Sequence, residues 1–244
     1  MSDTPHHDQD DDSGTAGQFV ASALESAARL FGISEGTGEA PSSGQRRILQ
    51  GRQERDLEAW ARERGIWRDR LSDFGTFAPG GEEHCILRGD DHYLKATHPG
   101  RCGFTVIATP GGPTLTNALP AEYLHRLIVS NRIFDDDVRL IGLTHEAGGM
   151  VIVTSQPTII GEGATQEEML AFFAERRFCL LPGFSAGYRG SLCFYRDLDQ
   201  VAVFDAHPAN FLRDRNGVIL PIDGVVVECD DALASQVEAL RSTA

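Results

Sequence analysis

The stretch from Asp205 to Asp223 contains the strongest local fold signal in the chain, the dipeptide Asn216-Gly217. Both residue types tolerate positive φ angles, so this dipeptide between apolar runs is typical of a two-residue β-hairpin turn. A hairpin closed by these two residues would place Asn210 directly opposite Asp223. Directly opposed residues of an antiparallel pair have Cβ atoms about 4.5–5.5 Å apart. The sequence therefore predicts that an amide oxygen and a carboxylate face each other across a hairpin.

These two oxygen donors suit a hard divalent cation such as Mg²⁺, which binds carboxylate and amide oxygens. A further carboxylate, Asp205, precedes Asn210 on the segment that leads into the hairpin. We predict that Asn210 and Asp223 bind the metal and that Asp205 lies beside it. The alternative interpretation is an ordinary edge hairpin preceded by an Asx-type turn. Each residue taken alone favours that alternative, and the three together favour the metal site.

Length and composition are compatible with such a site. The 244 residues, of which 41% are hydrophobic, suit one domain or a small two-lobed one. The net charge is −14, with half of it in residues 1–44, so neither part is suited to bind nucleic-acid phosphates. No apolar run has membrane-spanning length and the acidic start does not resemble a signal peptide, so we expect a cytoplasmic protein that binds no membrane. The five scattered cysteines predict buried free thiols.

The N-terminal part is predicted to lie outside the main fold. Residues 1–17 are rich in Asp, His, Ser and Gly, and such a segment has little to bury and is predicted to be disordered. Helical spacing predicts a short amphipathic helix from Gln18 to Phe31 and a charged helix from Gln45 to Arg64. The second helix has four apolar positions that predict a packing face, namely Ile48, Leu49, Leu57 and Trp60. We interpret both helices as decoration of the fold, and the alternative is a partner-binding arm.

From Phe74 onward the pattern changes to short apolar strands and Gly-rich turns. A strand is predicted over Glu83–Leu87, and a second one over His92–Thr97 after a turn. The second strand contains Lys95, the only lysine in a chain whose other basic residues are all arginine. Because lysine and arginine are not interchangeable at a site that needs a compact charge, we predict a functional role for Lys95. The alternative is drift in an arginine-rich genome.

Helix and strand signals alternate in the middle of the chain. Pro120–Val129 is predicted to be helical, with Glu122 in its first turn, where an acid complements the helix dipole. Two strands are predicted next, from Val138 to Leu143 and from Met150 to Val153, and residues 154–157 are predicted to break the second strand. Thr165 and Glu168 form a capping-box pattern that predicts the start of another helix.

Taken together, these motifs resemble the protein-kinase superfamily. The order of Asp205, Asn210 and Asp223 is similar to the catalytic loop and metal-binding aspartate of that superfamily, and His207-Pro208 is similar to the form seen in aminoglycoside and choline kinases. More narrowly, the chain resembles the kinase-like domain of polyvalent proteins of bacteria, phages and mobile elements, whose members are predicted serine/threonine/tyrosine kinases. This resemblance extends from about Phe74 to Val227 and depends on Lys95–Gly100, Gly103–Thr105, Glu122–Leu124, Asn131, Phe134–Asp136, Ser155–Pro157 and the Asp205–Asp223 block.

The resemblance implies an α+β, two-lobed protein-kinase-like fold with a strand-rich N-lobe, a reduced C-lobe and an N-terminal helical extension. We accordingly divide the chain into an acidic arm (1–44), a helical extension (45–73), an N-lobe (74–154) and a minimal C-lobe (155–244). Three departures from ordinary protein kinases stand out. The chain lacks a G-x-G-x-x-G loop, has Gly224 directly after Asp223, and is expected to lack an activation segment and peptide-docking helices.

The resemblance also implies roles for individual residues and the two small molecules ATP and Mg²⁺. Lys95, held by Glu122, would contact the nucleotide phosphates, and Gln156 would lie near the adenine. The metal would be bound by Asn210 and Asp223, while Asp205 would receive the proton of an acceptor hydroxyl, most simply a protein Ser, Thr or Tyr. The alternatives are a catalytically inactive, pseudokinase-like binding module and a small-molecule phosphotransferase.

A competing motif is weaker. Gly183-Phe184-Ser185-Ala186-Gly187 matches the G-x-S-x-G pattern of hydrolases, in which the serine lies between a strand and a helix. The residues that follow are a poor helix start, so the pattern does not favour a hydrolase. A nucleotide-binding P-loop is excluded because Lys95 is not preceded by the required glycines.

Overall fold

The computed structural model describes residues 23–31, 41–81 and 84–242, and these form a mixed α+β fold. Within these ranges there are five helices: α1 (23–29), α2 (Ser43–Glu63), α3 (Pro120–Phe134), α4 (Gln166–Glu175) and α5 (Asp231–Ser242). None of the described helices combines the length and the apolar character that a membrane span needs. The predicted disorder of residues 1–17 and the start of the first predicted helix lie outside the described residues.

Thirteen strands form four sheets in the described part of the chain. The strands are β1 (His84–Arg88), β2 (His92–Thr97), β3 (Phe104–Thr109), β4 (Gly112–Asn117), β5 (Arg139–Glu146), β6 (Gly149–Pro157), β7 (Gly161–Gly163), β8 (Cys179–Leu180), β9 (Leu192–Arg196), β10 (Val201–Ala206), β11 (Phe211–Asp214), β12 (Ile219–Pro221) and β13 (Val225–Glu228). Sheet order is β1-β2-β6-β5, β13-β10-β9-β8, β12-β11-β7 and β3-β4. The α+β class is confirmed, and the division into two lobes stays a prediction.

The predicted strand pair around Lys95 is confirmed. Strands β1 and β2 are antiparallel neighbours, and Ile86 is the register partner of Lys95. Only Glu83, at the start of the predicted first strand, lies outside the described residues. On its other side β2 pairs with β6, where Lys95 faces Thr154. Lys95 therefore lies on an inner strand of a four-stranded sheet.

The predicted strand break after Val153 is wrong. Strand β6 continues to Pro157, and its last residues pair with β2. Ser155 and Gln156 are buried polar residues there, so their side chains are packed rather than presented on a loop. Proline is tolerated because it stands at the strand end, where the missing N–H costs little. The strand-to-helix link thus begins after Pro157, and Thr165 caps α4 with the predicted capping box to Glu168.

The predicted hairpin forms, but with a register that differs from the prediction by one residue. Its turn has a three-residue loop, Arg215–Gly217, because the Asp214 carboxylate accepts hydrogen bonds from the backbone N–H groups of Asn216 and Val218. Gly217 takes the left-handed conformation (φ 82°) typical of a three-residue loop. The paired position of Asn210 is consequently Ile222, whose N–H donates to the Asn210 carbonyl. Asn210 and Asp223 are therefore not directly opposed.

The N-terminal helices belong to the core and are not decoration. Leu57 of α2 is fully buried in one apolar cluster with Leu124 of α3 and Ile152 of β6. The predicted packing face of α2 is only half right, because Ile48 is 74% exposed and Leu57 is 0% exposed. The reason is that only the C-terminal half of α2 lies against the sheet.

Helix α3 joins two apolar clusters and so fixes the elements around the site. Its first half packs with α2 and the β6 sheet, whereas Val129 and Phe134 join a Phe-rich cluster with α4, β9 and β11. In that second cluster the rings of Phe173 and Phe194 stack with centroids 3.9 Å apart. Helix α3 therefore packs both against the sheet that contains Lys95 and against the segment from β10 to β13.

All five cysteines are free thiols, as predicted. Burial is confirmed for Cys102, Cys193 and Cys229, whereas Cys179 is exposed. Burial raises the pKa of the Cys193 thiol to about 11, which keeps it protonated and unreactive at neutral pH. The buried thiols serve as small apolar side chains.

Candidate functional site

A narrow cleft lies between the β2–β6 face and the segment from β10 to β13. Lys95, Gln156 and Asp223 all line it, and α3 closes one side. The cavity measures about 40 Å³, whereas pockets that bury a small ligand measure roughly 300–1,000 Å³. The three polar side chains are brought together, but the cleft has to widen before it can admit a molecule of nucleotide size.

The pleat of the sheet directs these side chains to one face. Residues two apart in a strand point the same way, so Thr154 and Gln156 of β6 share a face with their β2 neighbour Lys95. All three line the cleft. The presence of Lys95 and Gln156 in one cleft therefore follows from the alternation of side chains along paired strands.

Three hydrogen bonds in series link the predicted site residues across the cleft. The Lys95 ammonium donates to the Ile222 carbonyl at 2.6 Å. The Ile222 N–H donates to the Asn210 carbonyl at 2.8 Å, and Asn210 Nδ2 donates to the Asp205 carbonyl at 3.0 Å. Asp223 follows Ile222 directly in the chain. The structure thus connects Lys95, Asn210 and Asp205 and places Asp223 at the junction.

Asp205 is fixed firmly on one side. Its carboxylate oxygen Oδ1 accepts hydrogen bonds from the Tyr188 N–H at 2.6 Å and from the Ser191 hydroxyl at 2.7 Å. Its backbone is in the left-handed region at φ 58°, a conformation that costs free energy in a non-glycine residue and is often found at functional sites. The Asp205 carboxylate is half-buried, and it does not line the cleft that contains Lys95. It lies at the side of that cleft.

The charge of Asp223 is set by its neighbours. Burial by the surrounding protein opposes ionisation, but the positive fields of Lys95, His84 and Arg126 outweigh it and lower the pKa of Asp223. By surface area Asp223 is exposed, although protein atoms surround it on several sides. Asp223 is consequently an ionised carboxylate accessible to a cation or to water.

The donor chemistry at Asn210 and Asp223 fits a hard cation such as Mg²⁺. The Asn210 amide is oriented by the hydrogen bond from its Nδ2 to the Asp205 carbonyl. In the described part of the chain, its Oδ1 has no hydrogen-bond partner and can accept a cation. In the same ranges no three His, Cys, Asp or Glu side chains form a metal-binding group. A cation bound here would therefore depend on the Asn210 amide and the Asp223 carboxylate, with other ligands from water or phosphate.

The predicted pairing of Glu122 with Lys95 is wrong. Both oxygens of the Glu122 carboxylate instead bind the guanidinium of Arg46 in α2, at 2.7 and 2.9 Å. Glu122 also accepts the Leu119 N–H at 2.7 Å and so caps α3. Arginine forms this planar, two-oxygen contact better than lysine does, which explains the preference. Glu122 thus has a structural role and does not line the cleft.

Sequence reasoning missed Asp136 as a site residue. It lines the cleft together with Lys95 and Asp223 and binds the hydroxyl of Ser130. Burial raises the pKa of Asp136 to about 6, even though the Ser130 bond and the Lys95 ammonium both favour the ionised form. Asp136 therefore changes from its protonated to its ionised form close to pH 6.

The sequence of helix α3, which ends shortly before Asp136, contains a signal for this polar cleft. Positions 123, 127, 130 and 134 of α3 recur at helical spacing and all line the cleft, and one of them is the polar residue Ser130. Arg126 on the same helix is buried at 4% exposure. A buried charge or hydroxyl on an otherwise apolar helix face indicates a polar cavity.

The hydrolase motif is not assembled. Ser185 lies in the irregular segment between β8 and β9, and the element that follows it is a strand. A nucleophile elbow requires a helix at that position. Gly187, the last residue of this motif, has a structural role, because a side chain at this position would collide with the Asp205 carboxylate.

The comparisons with known proteins give one result for this chain. A family model described as Serine/Threonine/Tyrosine Kinase found in polyvalent proteins matches residues 50–228. No curated protein and no solved structure matches the chain. The matched range begins inside α2, ahead of the Phe74 boundary of the sequence resemblance, in agreement with the packing of α2 in the core.

Proposed function

The chain belongs to the serine/threonine/tyrosine kinase family found in polyvalent proteins, and from this premise we propose that it transfers a phosphoryl group from ATP to a hydroxyl acceptor with the help of Mg²⁺. The observation that supports this proposal best is the series of three hydrogen bonds between Lys95, Ile222, Asn210 and Asp205. This series runs through backbone groups and links the segments that carry the Lys95 ammonium, the Asn210 amide and the Asp205 carboxylate, although neither Asn210 nor Asp205 lines the cleft. A phosphoryl-transfer site needs these groups more than it needs a nucleophile, because its catalysis is mainly positioning and charge neutralisation.

Each side chain has a distinct task in this proposal. Lys95 binds the nucleotide phosphates, and the buried Gln156 side chain contacts the base. Asn210 and Asp223 hold the metal ion, which neutralises phosphate charge when bound. Asp205 orients the acceptor hydroxyl and accepts its proton through the carboxylate oxygen that Tyr188 and Ser191 leave open.

Nucleotide binding requires a wider cleft than the described one. The Lys95 bond to Ile222 ties the β2 strand to the hairpin and is the first contact that must break. A phosphate oxygen is a stronger acceptor for an ammonium than a backbone carbonyl, so phosphate offers the replacement. We therefore expect β2 and Ile222 to move apart when ATP binds.

The acceptor is most simply a protein hydroxyl, in accordance with the family description. The proposal places the reaction in the cytoplasm, since free thiols and ATP chemistry both suit a reducing compartment. The net charge of −14 disfavours binding of nucleic-acid phosphates, so the proposal does not include a nucleic-acid acceptor. Incubation of the protein with labelled ATP and a cell lysate, with Asp205→Asn as the inactive control, would reveal the acceptor class.

The deciding experiment removes the Asp223 carboxylate, which binds the metal in this proposal. We expect Asp223→Ala to reduce Mg²⁺-dependent ATP turnover by at least about 100-fold while the thermal unfolding temperature changes little. The exposed Asp90→Ala, which removes an acid from the β1–β2 turn, is the matched control and should turn over ATP like the unmodified protein. Wild-type turnover in Asp223→Ala would refute the site.

A second candidate function is a binding module without catalysis. Two observations favour it, namely the small cavity of about 40 Å³ and the engagement of Glu122 by Arg46. Thermal-shift titration with ATP and Mg²⁺, followed by a turnover assay, separates the candidates. Stabilisation without turnover supports the module, and transfer of phosphate to an added small-molecule alcohol in the absence of any protein acceptor supports a small-molecule phosphotransferase.

A further inference from the structure

The turn after α3 is built to direct one side chain into the cleft. Asp135 and Asp137 both have left-handed backbones, at φ 58° and φ 48°, and the residue between them is Asp136. Non-glycine residues adopt this conformation at a cost and keep it only where surrounding contacts enforce it. Two such residues on either side of Asp136 indicate that its direction is specified by the fold.

Side chains on both sides of the turn enforce this geometry. The Asn131 side chain binds both the N–H and the carbonyl of Val138 at 2.8 Å. Asp137 is held by the Arg139 guanidinium at 2.7 and 2.8 Å. The Asp135 N–H donates to the Asn131 carbonyl at 2.9 Å, which closes the end of α3. The turn is therefore constrained on every side of Asp136.

Asp136 itself is anchored and shares its cleft with the only lysine of the chain. Its carboxylate accepts the Ser130 hydroxyl, and it lines the same narrow cleft as Lys95 and Asp223. Lys95 favours ionisation of Asp136, whereas Asp135 and Asp223 oppose it. Among the described residues Lys95 forms no ion pair, and its ammonium donates to the Ile222 carbonyl. A compact cation and an anchored carboxylate thus share one cleft without an ion-pair contact.

We propose that Asp136, and not Glu122, is the carboxylate that positions the Lys95 ammonium in this cleft. When Lys95 leaves the Ile222 carbonyl, Asp136 is the anchored acid of the cleft that can receive it. Glu122 cannot take this role while both its oxygens bind Arg46. Asp223 is committed to the cation in the proposed function. Asp136 is accordingly a positioning residue, and its relevance to nucleotide rests on the proposed function.

The test uses the fact that Lys95 is the only lysine in the sequence. An amine-reactive ester acylates only unprotonated amines, and mass spectrometry of the Lys95 peptide separates this site from the N-terminal amine. Because an opposite charge nearby stabilises the ammonium, we expect Asp136→Asn to speed Lys95 acylation at pH 8 by about 3- to 10-fold. The limiting rate at high pH, which reports access alone, should not change.

Two matched variants give the control. Asp137→Asn removes the same charge one residue away, where the partner is Arg139, and Glu122→Gln removes the acid that binds Arg46. Both should leave the Lys95 acylation rate within about twofold of the unmodified protein, because neither acid lines the cleft. An Asp136→Asn rate equal to that of Asp137→Asn, or a larger effect of Glu122→Gln, would overturn the inference.

A second variant keeps the inference testable if Asp136→Asn does not fold. Ser130→Ala removes only the hydroxyl that anchors Asp136 and should raise the acylation rate in the same direction by a smaller factor. An unchanged rate in folded Ser130→Ala would then count against the proposal. All these rates are measured without nucleotide. An absence of ATP turnover would therefore refute the proposed function and leave the result on Lys95 intact.

Discussion

At the scale of single residues, Asp205 shows how the site is held in place. Its left-handed backbone and its two hydrogen bonds to residues 188 and 191 fix one carboxylate oxygen, and Asn210 binds its carbonyl. These contacts require close approach of the segment around Gly187, whose own φ is 110°. The orientation of the proposed base thus depends on a glycine that is distant in sequence.

We expect Gly187→Ala to lower the free energy of unfolding by about 1–3 kcal/mol. The added methyl group would overlap Asp205 Oδ1, and the backbone conformation is unfavourable for alanine. Gly44→Ala is the control with the opposite sign, since Gly44 is exposed in the first turn of α2 with no atom close to a new Cβ. The free energy of unfolding of Gly44→Ala should rise by about 0.5–1 kcal/mol. Chemical denaturation measures the unfolding free energies of the two variants, and equal values would contradict this expectation.

Asp136 should make stability depend on pH. Its pKa in the folded protein is about 6, above the ordinary value of 3.8, so the folded state holds a proton that the unfolded state has lost between these values. The free energy of unfolding therefore falls as pH rises from 4 to 6 and is level above that window. Asp136→Asn should remove this pH dependence. Between pH 4 and pH 7 the difference in unfolding free energy between the two proteins should therefore shift in favour of the variant, by at most about 3 kcal/mol. Denaturant unfolding from pH 4 to 7.5 tests this, and a constant difference would contradict it.

At the scale of elements, helix α2 is joined to α3 by one half-buried contact. The Arg46 side chain is 12% exposed and that of Glu122 is 29% exposed, and Arg46 also donates to the Asn117 carbonyl. A charge pair shielded from water contributes more than an exposed one, because solvent screens it less. The start of α3, and through it the α3 face of the cleft, depends on α2.

The strength of this contact can be measured by a double-mutant cycle. We expect Arg46→Ala and Glu122→Ala to show a coupling energy of about 1–3 kcal/mol in unfolding free energy. The comparison is the Arg62–Glu58 pair, which lies within α2 and is 54% and 36% exposed. Its coupling should be near zero. A cycle in which both pairs gave the same value would show that the α2–α3 contact is not a special link.

At the scale of the whole molecule, the N-terminal helices share one apolar core with α3 and with strands β5 and β6. Leu57 and Trp60 of α2 are buried with Leu143 of β5 and Ile152 of β6, and residues 23, 24 and 27 belong to the same cluster. The family match from residue 50 agrees with this arrangement. The boundary predicted between a helical extension (45–73) and an N-lobe (74–154) crosses this core.

We expect a chain that begins at Phe74 to fail to fold, and one that begins at residue 41 to fold with reduced stability. Loss of a large buried side chain costs about 2–5 kcal/mol, and the first truncation removes several from a domain whose total stability is about 5–15 kcal/mol. Thermal unfolding followed by circular dichroism distinguishes the two. A cooperative transition in the shorter chain would restore the predicted boundary.

The sequence determined the elements that depend on neighbours along the chain. The β1–β2 strand pair, the capped start of α4, the free thiols and the family were all readable because turn chemistry, capping and motif order are local properties. Lys95, Gln156 and Asp223, which the sequence analysis names as candidate site residues, line one cleft. Assignment of their roles stays a prediction.

The tertiary structure decided what depends on distant partners. One extra loop residue, fixed by Asp214, shifted the hairpin register and placed Ile222 opposite Asn210. Arg46, 76 residues away in the sequence, binds Glu122, so that Glu122 does not pair with Lys95, and the turn after α3 brings Asp136 to the cleft. Charged side chains select partners by geometry and burial after the chain has folded, and no spacing in the sequence specifies that choice.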